Sequence, residues 1–546
     1  MRTRALVLSF VVVACGGAQV APETPAPAGP SPAPSADPSG VPLPSVAAPT
    51  TIAPAPGASA SAPGSSGSLA NLRFPGGDAP SSRPASGGDA ARTCKPNNLA
   101  ECTEQCAAGN MPSCVEAAYI HGDGRLVPKS EAKAVELHKK ACDGGNQEGC
   151  ANYGFYLEFG RGVARDLDGA FAIEKRACQA RVGYGCTRLG MMYREGHGTT
   201  RDLPAAARAF SAACERGEAV SCTEVGVLLA RGRGVAKDDA KAVEYYRRAC
   251  DGKDALGCSN LGTMYERGRG VPPDATRAFG LYRDACAQNE PSACVNLGSM
   301  YRRGSGTTKD PARAVALFRK ACDGGSLRAC DELGFALQKG EGVTADPAQA
   351  VQLYRKACEG GEPGGCSDLG FVADNGIGMT ADPTLSANAY ARACENGSSI
   401  GCSNLANLFT KGRGVAQDDG KAAALYKRAC DEGYEGGCNG LGFLYDAGRG
   451  VGRDVTRAAL YYKQACDGGS RLGCDNIGLL YQYGDGVSKD ATTAKSYFKR
   501  ACDLGNKASC DRITKLSARV VQPLPVKRDA PQTAEPATGG VERVTN

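Results

Sequence analysis

CDGKDALGCSNLGTMYERGRGVPPDATRAFGLYRDA, residues 250–285, is the stretch that decides the fold. Leu261, Met264 and Tyr265 fall at helical spacing, and Gly262 among them leaves room for another helix to approach closely. Gly268-Arg269-Gly270-Val271 ends this first helix, because glycine readily takes the left-handed conformation of a C-cap. Asp274 is a good N-cap for a second helix from Ala275 to Ala285, with Ala278, Leu281 and Tyr282 on one face. In other copies proline follows the cap directly (Asp310-Pro311, Asp346-Pro347, Asp382-Pro383), as the first helical position permits. The stretch predicts two short antiparallel helices.

Outward from it the pattern returns every 36 residues. Cysteines stand at Cys106, Cys142, Cys178, Cys214, Cys250, Cys286, Cys322, Cys358, Cys394, Cys430, Cys466 and Cys502. Each has a partner eight residues on: Cys114, Cys150, Cys186, Cys222, Cys258, Cys294, Cys330, Cys366, Cys402, Cys438, Cys474 and Cys510. With Cys94, Cys102 and Cys15 these account for all 27. The first cysteine of each pair falls in the last turn of a second helix, and its partner opens the next first helix. Eight helical steps would hold the two about 12 Å apart along the axis, and a disulfide needs Cα atoms within about 4.4–6.8 Å. A reversal must therefore lie between them, and spacers such as Asp143-Gly144-Gly145 and Asp467-Gly468-Gly469 provide one. Structural disulfides across these loops are expected, each worth roughly 2.5 kcal/mol on the entropy model; cross-repeat pairing is the alternative. Zinc would ask for C-x2-4-C knuckles or histidines in register. No C-x2-C occurs, and His121, His138 and His197 occupy unrelated repeat positions, so no metal and no cofactor is expected. Cys94 and Cys102 keep the spacing but sit twelve residues out of phase, which predicts a staple on an N-terminal cap, with Cys102–Cys106 as the other pairing.

Neither helix of a pair can bury its apolar face alone, so successive pairs must stack around one continuous core. The expected fold is all-α: a solenoid of about twelve disulfide-stapled helix-turn-helix repeats over residues 92–517. Leu261-Gly262, Tyr265, Gly268, Gly270-Val271, Asp274, Ala278 and Tyr282, recurring through residues 101–516, resemble the Sel1-like repeat family, relatives of the tetratricopeptide repeats. The resemblance implies a right-handed superhelix, a concave surface lined by first helices, and adaptor roles in complex assembly. Cysteine stands here where the family often has alanine, at both ends of the inter-repeat loop. That departure resembles a cysteine-rich secreted branch, some members of which have been described as penicillin-binding or β-lactamase-like.

The chain ends read differently. Met1 to Arg4 carries two arginines, and Ala5 to Ala14 is largely apolar but too short to span a bilayer. Residues 1–14 are expected to be a signal peptide, because Val12-Val13-Ala14-Cys15 resembles the lipobox of bacterial lipoproteins. In that family the cysteine is acylated and becomes the first mature residue, and Gly16 after it favours the outer membrane. An acyl anchor contributes about 0.8 kcal/mol per buried methylene. Residues 15–91, rich in Pro, Ala, Ser and Gly, and residues 518–546 have too few apolar side chains to offset their ordering entropy, so a disordered tether and tail are expected. A cysteine-rich exported chain fits an oxidising compartment. The net charge of +6 is small for 546 residues and gives no nucleic-acid footprint.

A serine hydrolase would use S-x-x-K with S-D-N and K-T-G elsewhere. Ser130-Glu131-Ala132-Lys133 and Ser496-Tyr497-Phe498-Lys499 occur, but the other motifs do not. Ser130 occupies the repeat position of Asp166, Asp202, Asp238 and Asp274, the N-cap, and Ser496 that of Glu244 on the exposed side of a second helix. Gly-x-Gly-Val recurs too regularly for a nucleotide cradle. The Lys/Arg pairs before many cysteines (Arg247-Arg248, Lys427-Arg428) suit the negative end of a helix dipole. No catalytic residue is assigned. One first-helix position varies, holding Phe155, Met191, Val227, Thr263, Ser299, Phe335, Phe371, Asn407, Phe443 and Leu479. Packing against neighbours of differing size explains such variation; a tailored binding face is the sharper reading, with Phe155, Phe335, Phe371 and Phe443 as candidate contacts. The leading expectation is a non-enzymatic envelope lipoprotein, periplasmic or surface-exposed, that binds a protein or peptide on its concave face. The alternative is a β-lactam-binding or β-lactamase-like protein acting on cell-wall-related substrates.

Overall fold

A computed structural model describes residues 93–518. The signal peptide, Cys15, the tether and the tail beyond Ala518 lie outside the described residues. Among these there are 24 helices and no strand. They form eleven complete helix pairs, preceded by Leu99–Ala107 and followed by Lys507–Ala518. The two end helices are half repeats that cover the ends of the stack.

One pair shows why the sequence folds this way. The first helix, Ala255–Arg267, starts on Asp254, whose carboxylate accepts from the Gly257 N–H at 3.0 Å. It stops at Gly268, left-handed at φ 64°. Asp274 then turns the chain back. Its N–H donates to the Tyr265 carbonyl at 2.9 Å, and its carboxylate accepts from Arg277 N–H at 2.9 Å to open the second helix, Ala275–Ala287. Gly262 faces the Tyr282 ring so closely that a Cβ there would lie 2.8 Å from it. The same glycine-under-ring contact recurs at Gly298 with Phe318, Gly334 with Tyr354 and Gly442 with Tyr462.

The inter-repeat loop is a tight reversal. After Cys250, Lys253 adopts φ 65°, its N–H donates to the Cys250 carbonyl, and Asp254 N–H donates to the Ala249 carbonyl at 3.0 Å. That turn brings Cys250 and Cys258 to a Cα separation of 4.5 Å. All thirteen disulfides join cysteines eight residues apart. Cys94 bonds Cys102, while Cys106 crosses the loop to Cys114.

Two further contacts lock one repeat to the next. The second glycine of Gly-x-Gly is also left-handed (Gly270, φ 70°), and a Cβ on it would run into the backbone of Asp239 at the start of the preceding second helix. Arg269 beside it clips the same place, its Nη2 donating to Asp239 Oδ1 at 2.5 Å and to the Ala230 carbonyl at 2.9 Å. Arg449 repeats the clip on Asp419 and the Thr410 carbonyl. Gly270→Ala should therefore loosen this junction by about 2 kcal/mol. Gly280→Ala, in an open helical site with nothing within 4 Å, should stabilise by up to about 1 kcal/mol. Hydrogen exchange across residues 239–287 reads both; equal effects would remove the close-approach explanation.

Candidate interaction face on the first helices

Each first helix is wrapped by its own second helix and by its neighbours, leaving one partly exposed stripe. In Ala255–Arg267 the stripe is Leu256, Asn260, Thr263 and Arg267, four positions at helical spacing, with Glu266 beside it. The support beneath (Leu261, Gly262, Tyr282 and the cysteine pair) repeats along the chain, whereas the stripe residues change from repeat to repeat.

At the Thr263 position the structure places Phe155 in the buried class, 7 % exposed, and leaves Phe335, Phe371 and Phe443 half-buried. They form a floor rather than a projecting row. Guanidinium groups lie over several of them: Arg302 is 5.5 Å from the Phe335 ring centre, Arg449 6.0 Å from Phe443, and Arg188 5.4 Å from Phe155. The exposed positions are one turn further on. Arg231, Arg267, Arg303, Lys339 and Lys411 are exposed there, and Phe159, at the same position in an earlier repeat, is 50 % exposed with its ring 5.0 Å from Phe155. Sequence reasoning passed over this row; comparing the residue just before each C-cap glycine, repeat by repeat, would have found it.

Ion pairs stitch neighbouring first helices together. Arg194 meets Glu224 at 2.7 Å and Arg302 meets Glu332 at 2.9 Å, each acid being nearly inaccessible. Arg188 pairs with Glu158, both buried. His197 Nδ1 lies 2.9 Å from the other oxygen of Glu158.

The last pair belongs to a polar break in the core. Glu174 stands where the later repeats carry Phe210, Tyr246, Tyr282, Phe318 or Tyr354, and it is fully buried with no hydrogen-bond partner on either oxygen. His138 takes the same column one repeat earlier, equally buried and unpartnered, with Tyr119 edge-on at 5.4 Å. Burial holds the His138 imidazole down at about 3, against an ordinary 6.5. Burial pushes the Glu174 carboxyl well above its ordinary 4.5; Arg188 opposes that rise and Glu158 adds to it. These groups give opposite pH slopes. With a lowered folded pKa, His138 contributes fully above pH 6.5 and loses that contribution as pH falls toward 3. With a raised folded pKa, Glu174 contributes fully below pH 4.5 and loses that contribution as pH rises. Each slope is about 1.4 kcal/mol per pH unit. Between pH 4.5 and 6.5 the two slopes oppose each other, so the stability of the repeats around residues 131–195 should vary less there than below pH 4.5, where His138 titrates without that opposition. Urea denaturation followed by hydrogen exchange in that segment checks this; a steady rise or fall across the window would contradict it.

Both S-x-x-K serines bond to the backbone of their own helices. Ser130 caps Glu131–Asp143, its Oγ accepting from Lys133 N–H at 3.4 Å, and exposed Ser496 donates to the Thr493 carbonyl. Among the described residues no group of three or more His, Cys, Asp or Glu is placed to hold a metal. The cations before the cysteines have a partner that the sequence did not reveal: Arg248 and Arg428 donate to the Cys214 and Cys394 carbonyls, capping the second helix of the preceding repeat.

The Sel1 repeat family matches eleven segments: 112–146, 147–180, 183–218, 219–254, 255–290, 291–326, 327–362, 363–398, 399–434, 436–470 and 471–506. No curated protein matches the chain. Among solved structures, a protective antigen of uropathogenic Escherichia coli strains displaying an SLR fold is 25% identical, with a TM-score of 0.51, over 77% of this chain and 91% of that one. A Sel1 repeat protein from Oxalobacter formigenes is 24% identical over 57% of this chain and 90% of its own, with a TM-score of 0.43. Helicobacter pylori cysteine rich protein B is 33% identical over 24% of this chain and 96% of its own, with a TM-score of 0.21.

Proposed function

Because the chain belongs to the Sel1 repeat family, we propose that it is a non-enzymatic scaffold of the cell envelope, lipid-anchored through Cys15, that holds a protein or peptide along its first helices. Repeats of this kind generally bind proteins. The observation that carries the reading is the stripe: a recurring support presents side chains that vary along the stack, as a surface tailored to one partner requires. Packing supports placing that stripe on the inner side of the stack. First helices of successive repeats touch, as when Asn152 Nδ2 donates to Tyr119 Oη at 2.9 Å, whereas successive second helices mostly stand further apart. Thirteen disulfides suit an oxidising compartment outside the cytosol. No helix among the described residues is long and apolar enough to cross a membrane, so attachment in this reading rests on the acyl group.

The test is a cross-linked pull-down from membranes of the source cells, comparing the natural chain with Phe335→Ala/Phe371→Ala. A specific partner should be lost from the double variant, and undiminished capture would take these residues out of contention. Cys15→Ser should move the protein into the soluble fraction; retention on the membrane would remove the anchor.

A further inference from the structure

On the stripe, the outermost position is basic through most of the central repeats. Arg231, Arg267, Arg303, Lys339 and Lys411 stand there at multiples of 36 residues, interrupted by Asn375. All five are exposed. Only Arg303 among them has an acidic partner, Glu266 at 2.6 Å. Arg231, Arg267, Lys339 and Lys411 have no ion pair among the described residues. Of the acids on the stripe, Glu224 is taken by Arg194 and Glu332 by Arg302, and Asp368 is buried. The charge left for a ligand on this face is therefore positive.

One comparison within the chain separates this row from charge that the helix ends require. A cation in a last turn complements the helix dipole. Yet the helices ending at Phe159, Asn375, Ala447 and Tyr483 close on the same left-handed glycine without one, so the fold does not require it. On the second helices Lys139, Lys427, Lys463 and Lys499 each meet an aspartate four residues on, at 2.6–2.8 Å, whereas Arg247, Arg319 and Arg355, at the same position in the central repeats, are exposed with no ion pair among the described residues. Unpaired charge in register thus occurs on both faces, and what sets the first-helix row apart is the aromatic floor of Phe335 and Phe371 beside it.

We infer that the first-helix face between residues 219 and 411 takes an extended acidic segment of the partner protein. The inference rests on the scaffold reading above and supplies the partner's chemistry. Successive repeats repeat the cation at one position of the first helix, so a chain running across the first helices meets one at every step but that of Asn375, over a floor that includes Phe335 and Phe371. Paired acids keep the rest of the face from repelling it.

The experiment measures binding of three fluorescent peptides to the oxidised full chain: one alternating Glu and Ser, one alternating Lys and Ser, and one of Ser and Leu. The acidic peptide should bind best and weaken steeply with salt. Arg267→Glu/Lys339→Glu should reduce its affinity at least about tenfold, while Lys427→Glu/Lys463→Glu, on the second helices, should change it less than about twofold. Circular dichroism of each variant checks that the helices persist. If the neutral or basic peptide binds instead, and Phe335→Ala/Phe371→Ala weakens it, the acidic partner is wrong and the scaffold stands. If no peptide binds, both fail. A single-stranded oligonucleotide of equal charge that outcompetes the acidic peptide would reassign the row to nucleic acid.

Discussion

Reduction of the oxidised protein with excess dithiothreitol should lower its melting temperature by more than about 20 °C. Each staple closes a loop of only eight residues, worth about 2.5 kcal/mol in the entropy model. The size of the effect comes from repetition. In a stacked array, stability is close to a sum of repeat and interface terms, so every repeat loses its share together. The staple also fixes the helix-to-helix reversal at Arg181, Lys253 and Asn289, non-glycine residues held left-handed at φ 63–68°. Arg181 and Lys253 prefer other conformations by about 1–2 kcal/mol, whereas asparagine tolerates this one, so the junctions at Arg181 and Lys253 should open first. Differential scanning calorimetry with and without reductant, on alkylated samples, gives the shift. A change of a few degrees would mean that packing alone holds the stack.

Glu174→Tyr should stabilise the N-terminal repeats by about 3 kcal/mol at neutral pH. It replaces a buried carboxyl that has no partner with the ring that the column carries elsewhere. Gly154 already offers the hollow, as Gly262 does for Tyr282. The new hydroxyl would have an acceptor too, since Tyr282 donates to Glu266 at 2.9 Å and Glu158 holds the equivalent place one helix earlier. The variant should also remove the slope that opposes His138 above pH 4.5, so that stability rises with pH up to 6.5. A destabilised variant would show that Arg188 and Glu158 depend on Glu174.

How much of this was legible depended on how local the cause was. The caps at Asp274 and Gly268, the pairing of Cys250 with Cys258, and the 36-residue period are set by neighbours in sequence, and they read directly; the cap at Asp254 emerges only in the structure. The second helix runs two residues past the expected Ala285, to Ala287, because Cys286 is still within its last turn. The features that escaped reading act between repeats. Gly270 was understood as a helix stop, but its second role depends on the Asp239 backbone some thirty residues earlier. Arg248 was read as complementing its own helix, whereas it caps the helix that ends at Cys214. His138 reads from the sequence only as out of register for metal binding, and Glu174 not at all, because their burial depends on the aromatic column they interrupt. The stripe was only half legible: its variable position was found, but the cations at Arg231 to Lys411 were not, because exposure there depends on how adjacent helices crowd the Phe335 position.

The proposal at the centre is that a protein partner lies on the first helices. Photo-crosslinking residues placed at Phe371, on that face, and at Arg283, exposed on a second helix, test it directly. The account expects one discrete cross-linked species from position 371, competed by acidic peptide, and none from position 283. The same species from position 283 with none from position 371 would contradict it.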